Sequence, residues 1–261
     1  MGKRHWLLAF LILSLLSVPA SAKVRDFQFI EDMSFAMPGE LTVNQGLSKA
    51  EVRRTIANTF ANPYDEIVHN SLRSKTVLPT RITYGFSDRF EISLEVPYVF
   101  LDNAVQDYNG IGDVGLMQKL MVSNQSDGRS WLSSAFGVRF EAPTGNSLQG
   151  LGNGKSDVEV FGIGMKEIGF TKWLVNLGYN FVGGEKYSNE FKYQGGVNAQ
   201  IRPGFSFLME FSGVAGAKDE MYLAPGLMFE IRGIPLRMGT QFGMTDDSFK
   251  YRWNFSLGNN F

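Results

Sequence analysis

The chain has 261 residues, 25 Lys+Arg against 26 Asp+Glu, a formal charge of −1, 29 glycines, 13% aromatic residues and no cysteine. That charge balance excludes a basic nucleic-acid binder. The missing cysteines exclude a disulfide framework, a thiolate metal site and a lipid-modified cysteine behind a signal. Abundant glycines and rings together describe a chain that bends many strands and presents many aromatic faces.

Residues 1–22 read as a cleaved export signal: Lys3 and Arg4 form a basic start, Trp6 to Leu16 an apolar stretch, and Ala20-Ser21-Ala22 a small-residue cleavage site before Lys23. The apolar stretch is too short for a spanning helix of about 20 residues. Cleavage takes Lys3 and Arg4 away and leaves the mature chain more acidic. Residues 23–40 are then expected to be a periplasmic N-terminal segment, and 41–261 a β-barrel. Ser48-Lys49-Ala50-Glu51 matches a capping box, and Val52, Ile56 and Phe60 recur every four residues, as in a helix. The preferred reading is a strand over 41–48 followed by an irregular first loop, leaving 23–75 as the least regular part of the chain.

Beyond residue 75 the apolar period is two. Phe90, Ile92, Leu94, Val96 and Tyr98 alternate with Arg89, Glu91, Ser93, Glu95 and Pro97, and Trp173, Val175, Leu177, Tyr179 and Phe181 with Leu174, Asn176, Gly178 and Asn180. Such segments are strands with one apolar and one polar face. Their connectors are of two kinds. Tight turns at 85–88, 169–171, 202–204 and 232–235 trade off with longer stretches at 101–112, 143–157, 183–190, 216–219 and 244–248. This is the meander of an outer-membrane barrel, with short turns toward the periplasm and long loops outside.

Parity decides which face meets lipid. Rings sit at both ends of several apolar faces, in pairs such as Phe90 with Tyr98, Trp173 with Phe181 and Phe205 with Phe211. Those pairs would build two interfacial girdles. Full charges occupy the other face: Glu91, Glu95, Lys119, Arg139, Glu141, Lys192, Glu210, Glu230, Arg237 and Arg252 are the candidate lumen-facing residues. A lumen wets or pairs such groups, whereas lipid opposes a midplane Arg or Lys by about 2–4 kcal/mol. The fold class expected is therefore all-β, a transmembrane up-and-down antiparallel barrel of about twelve strands. The chain closes on Phe261, on the ring-bearing side of its last alternation, which resembles the signal read by the outer-membrane assembly machinery.

Two glycine motifs invite a nucleotide-binding reading and fail its context test. Gly110 to Gly115 fits G-x-G-x-x-G, but no apolar strand precedes it and no helix follows. Gly150 to Ser156 leaves three residues where a P-loop needs four, and leads into a strand. Both are expected to shape loops at the barrel rim. His69 and Ser71 sit two apart in the first loop, an arrangement similar to the outer-membrane phospholipase, but without a visible orienting partner. No catalytic, cofactor-binding or metal residue is assigned.

One wider resemblance runs along residues 38–261. Tyr84-Gly85 with Asp88-Arg89, Pro97-Tyr98, Gly110-x-Gly112-Asp113 and Pro143-Thr144-Gly145, in that order, resemble the outer-membrane family named for the meta-pathway of phenol degradation. The resemblance implies an outer-membrane barrel that passes small molecules, aromatic or other apolar compounds among them. The expected function is a porin-like channel or transporter in the Gram-negative outer membrane. Its partners are lipid, the assembly machinery and a small-molecule substrate, with no nucleic acid and no cofactor. Two alternatives stand beside it: a structural or adhesion barrel with an ion-pair-plugged lumen, and a lipid hydrolase using His69 and Ser71.

Overall fold

A computed structural model describes residues 31, 33–51, 72–128, 130–183, 189–216, 219–231 and 234–260. The signal segment, the helix-like repeat of Val52, Ile56 and Phe60, the pair His69 and Ser71, and Phe261 all lie outside the described residues.

The alternating segments form strands in chain order: β1 (Leu41–Glu51), β2 (Leu72–Ser87), β3 (Phe90–Asn103), β4 (Tyr108–Ile111), β5 (Val114–Ser123), β6 (Ser133–Ala142), β7 (Asp157–Ile168), β8 (Thr171–Val182), β9 (Glu190–Arg202), β10 (Phe205–Ala215), β11 (Glu220–Ile231), β12 (Ile234–Gly243) and β13 (Tyr251–Asn260). Every pairing between them is antiparallel, and β1 closes the sheet by binding β2 on one side and β13 on the other. Twelve strands make the closed barrel. β4 is a short ribbon on the far end of β3, where sequence reading leaves a loop. The capping-box residues Ser48 to Glu51 belong to β1, which runs three residues past its expected end. Ladder pairing on both sides outweighs the local helical signal there.

Parity sorts the side chains. Leu94 is 39% exposed on the outer face and Trp173 51%, with Phe140, Leu177, Phe181, Phe207 and Phe211 exposed beside them. A closed barrel leaves no open sheet edge, so an apolar belt of this kind fits hydrocarbon. The chain is a membrane-spanning β-barrel. The inner face is not uniformly polar, however. Met117, Ala135, Phe161, Ile163, Met165 and Leu174 point inward from β5–β8 and form a buried apolar cluster.

That cluster is completed by the N-terminal segment. Sequence reading expects 23–40 to be a periplasmic segment; of its described residues, Met33 and Phe35 are buried against the inward cluster. The physical reason is that an apolar patch inside a barrel needs a cover, and the chain before β1 is the nearest one. Gly85 lets it in. A Cβ there would lie 2.7 Å from the Ala36 carbonyl oxygen and closer still to that of Met37, so only glycine permits the approach. Backbone bonds from Gly39 N–H to the Gly85 carbonyl (2.8 Å) and from Gly85 N–H to that of Glu40 (3.1 Å) fix the bend.

The orientation of the wall is testable. Leu94→Arg places a cation on the outer face and is expected to cost about 2–4 kcal/mol if it meets the bilayer midplane. Yield of heat-modifiable barrel is expected to fall sharply, whereas Leu94→Phe leaves it unchanged.

Candidate functional site

The inner charges form one network around Lys119. Its side chain is 0% exposed, and its Nζ lies 3.1 Å from Glu31 Oε1 and 3.0 Å from Glu91 Oε1. The contact with Glu91 is an ion pair whose angles fall outside hydrogen-bond geometry. Nζ also donates to the Ser34 carbonyl at 2.8 Å and lies 4.5 Å from the Phe35 ring centre. Glu31 bridges onward: Arg81 donates to its Oε2 at 2.6 Å and to Glu95 Oε2 at 2.8 Å. Glu91 Oε2 accepts from the Ala36 N–H at 2.8 Å. The N-terminal segment is therefore held by charge as well as by apolar contact. Farther round the barrel, Glu159 receives Lys192 at 3.1 Å and Arg139 at 3.4 Å.

Above this network the lumen opens into a polar cavity of about 430 Å³. Glu95, Arg139, Lys192, Arg237 and Arg252 line it, as do Arg81 and Tyr222. Glu91, Lys119, Glu210 and Arg237 are almost wholly buried in the wall's inner face. Glu141 faces Gly115 and Asp157 on the adjoining strands, at the long-loop end. Glu230 shares the inward parity but lies exposed beside a short turn, where its N–H binds the Gly204 carbonyl at 2.9 Å. Of the partners in the network, Glu31 and Arg81 carried no expectation from sequence. Arg81 stands at inward parity two residues before Thr83, so its position was readable; Glu31 precedes any strand and was not.

Toward the long loops the lumen narrows again. Leu151, from the loop between β6 and β7, is buried against Val99 and Leu101, with Leu72, Val77 and Tyr108 packed alongside. The two glycine motifs explain how the loop is held. Asp113 accepts from the Gly145 N–H at 3.0 Å and from the Asn153 N–H at 2.7 Å, and Thr144 Oγ1 donates to the Gly112 carbonyl at 2.9 Å. Gly110-x-Gly112-Asp113 and Pro143-Thr144-Gly145 are thus two halves of one clasp. A Cβ on Gly112 would stand 3.1 Å from Pro97, Val99 and the Leu151 carbonyl, so the loop seats this closely only on glycine.

A fault crosses the wall at the same level. The β1–β2 ladder pairs Gln45 with Thr80 and Ser48 with Val77, but Gly46 and Leu47 have no partner between them. Pro79 stands there, directly opposite Pro97 of β3, and neither has an N–H to give. Past Pro97 the partner strand slips by one residue between β4 and β5, at Gly112 and Asp113. Outside this line lies a groove of about 950 Å³, walled by Leu78, Val96, Tyr98, Phe100, Phe255 and Leu257. Gln45, Gly46 and Pro79 border both this outer apolar groove and the inner polar cavity.

Neither a protein-family model nor a curated protein matches the chain. Solved structures do. The COG4313 outer membrane channel from Pseudomonas putida F1 aligns with a TM-score of 0.63 at 14% identity, over 92% of this chain and 100% of that one. The KdgM porin in complex with disordered oligogalacturonate aligns with a TM-score of 0.55 at 8% identity, over 85% of this chain and 99% of that one. At these identities the likeness establishes the fold.

Lys119 gives the sharpest test of the inner network. Lys119→Met strands two buried carboxylates and is expected to lower unfolding stability in lipid vesicles by about 3–5 kcal/mol. Adding Glu91→Gln to it is expected to restore part of that loss. Equal stability of wild type and Lys119→Met in urea titrations contradicts the network.

Proposed function

We propose that the chain is an outer-membrane channel or transporter for small apolar molecules, aromatic compounds among them, which cross between lumen and lipid through the faulted wall. The observation that carries this reading is the line Gly46–Pro79–Pro97–Gly112, with an apolar groove on one side and a lumen cavity on the other. A strand pair that lacks its ladder bonds separates at lower cost than a bonded one, since each net hydrogen bond contributes about 0.5–1.5 kcal/mol. An apolar solute that leaves the cavity through this line enters hydrocarbon without crossing the periplasm.

The axial route is narrow by comparison. The N-terminal segment fills the lumen at the short-turn end, which faces the periplasm in such barrels, and Leu151 crowds the long-loop end. The resemblance to the phenol-degradation family and the folds of a channel and a porin both support a transport role. The filled lower lumen favours one second reading, a barrel whose loops act while its lumen stays packed. A third, lipid hydrolysis through His69 and Ser71, rests on residues outside the described ones. Assembly through Phe261 belongs to the same proposal.

Repairing the fault tests it. Pro79→Thr with Pro97→Val restores two donors to adjoining strands and is expected to cut uptake of toluene by expressing cells several-fold. Ion conductance of the purified barrel in planar bilayers is expected to change little. Unaltered toluene uptake by a correctly assembled double variant contradicts lateral passage.

A further inference from the structure

A row of side chains crosses the inner face at the long-loop end. Directly opposed residues link Tyr108 to Leu101, Leu101 to Lys75, Lys75 to Ala50, Ala50 to Arg252 and Arg252 to Gln241. Opposed residues on adjacent strands share a face, so Lys75 and Arg252 stand in the lumen on either side of a methyl group. Arg252 lines the cavity, with its guanidinium 5.7 Å from the Tyr222 ring centre and 5.1 Å from that of Phe249.

Lys75 and Arg252 stand outside the ion pairs of the lumen network. Neither Lys75 nor Arg252 forms an ion pair with a described residue. The nearby carboxylates are engaged or distant: Glu220 accepts from the Tyr222 hydroxyl at 2.8 Å, and Asp113 holds the loop clasp. At longer range Asp113 and Glu141 attract Lys75 and Glu220 attracts Arg252, while the two cations repel each other. Two cations with one strand between them, neither of them in an ion pair with a described residue, favour a bound anion. On the Lys75 side the row continues into an apolar cluster, of which Val77 and Tyr108 are only half-buried. Leu101 is directly opposite Lys75, and Val77, Val99, Tyr108 and Leu151 pack with it.

We propose that this row is a binding site for a small aromatic or branched aliphatic carboxylate. Lys75 and Arg252 take the carboxylate over Ala50, and the half-buried Val77 and Tyr108 take the apolar body. The site rests on the reading of the barrel as a transport channel and gives that channel a substrate class. An acid with an apolar body uses both features, whereas a neutral hydrocarbon forgoes the cations and acetate forgoes the apolar wall.

Titration calorimetry of the purified barrel with benzoate, benzyl alcohol and acetate tests the site. Benzoate is expected to bind at least ten times more tightly than either of the others. Lys75→Met with Arg252→Met is expected to weaken benzoate at least tenfold and leave benzyl alcohol unchanged. Ala50→Asp supplies an internal carboxylate between the cations, and is expected to abolish benzoate binding in a barrel at least as heat-stable as wild type; this variant serves if the double substitution does not assemble. Equal affinity for benzoate and acetate, or benzoate binding untouched by Ala50→Asp, overturns the proposal. Toluene uptake by expressing cells separates the two readings: uptake without benzoate binding removes this site and keeps the channel, and benzoate binding without uptake does the reverse.

Discussion

A closed sheet of twelve strands offers its side chains two places, lipid or lumen, and the cost of a charge in hydrocarbon sends most full charges of the strands inward, Lys49 beside Trp253 being an outward exception. Once there, those charges occupy an interior too crowded to hydrate them. Lys119 shows the consequence most plainly: fully buried, it takes one carboxylate from the neighbouring strand and another from the chain before the barrel. Burying an ammonium requires such partners. The N-terminal segment is therefore bound into the fold by electrostatics rather than appended to it, and its position narrows the axial path.

The same economy appears in the wall. The glycine motifs that imitate phosphate-binding loops are two surfaces of one contact, in which Asp113 and Thr144 hold a loop over the mouth and Gly112 makes room for it. That contact sits beside the gap in the β1–β2 ladder and the one-residue slip between β4 and β5 along β3. The β11–β12 ladder carries a similar gap at Ala224 and Pro225, while the outer groove beside the β1–β2 gap gives that line an apolar landing. A polar interior, a narrow axis and a gapped β1–β2 ladder are the features on which the proposal of passage through the side rests.

Much of this was legible in the sequence, because period-two patterning reports a physical choice made residue by residue. The alternation through Phe90–Tyr98 and Trp173–Phe181 located strands and faces together, and the inward parity of Glu95, Arg139 and Arg252 followed from it. What escaped notice depends on contacts between distant parts of the chain. Met33 and Phe35 look like any short apolar stretch until β5–β8 supply the surface they cover. β7 carried a signal that was overlooked: Val158 and Val160 face out while Phe161, Ile163 and Met165 face in, so a strand apolar on both faces announced something apolar inside. Pro79 and Pro97 were visible as residues that forbid a ladder bond, but only their register reveals that they oppose each other. Lys75 lay at the margin of the irregular segment, and its row with Arg252 exists only because β1 closes the barrel between them.

The central claim, passage through the seam between β1 and β2, is open to direct measurement because the chain has no cysteine of its own. Gly46→Cys with Pro79→Cys puts one thiol on each side of the unbonded stretch, where a glycine Cβ would stand 3.2 Å from the proline ring. Toluene uptake by cells carrying this variant is measured with the disulfide formed and again after reduction. The account predicts that uptake stops when the seam is locked and returns on reduction, with ion conductance along the axis the same in both states. Uptake that continues unchanged through a fully oxidised seam contradicts it.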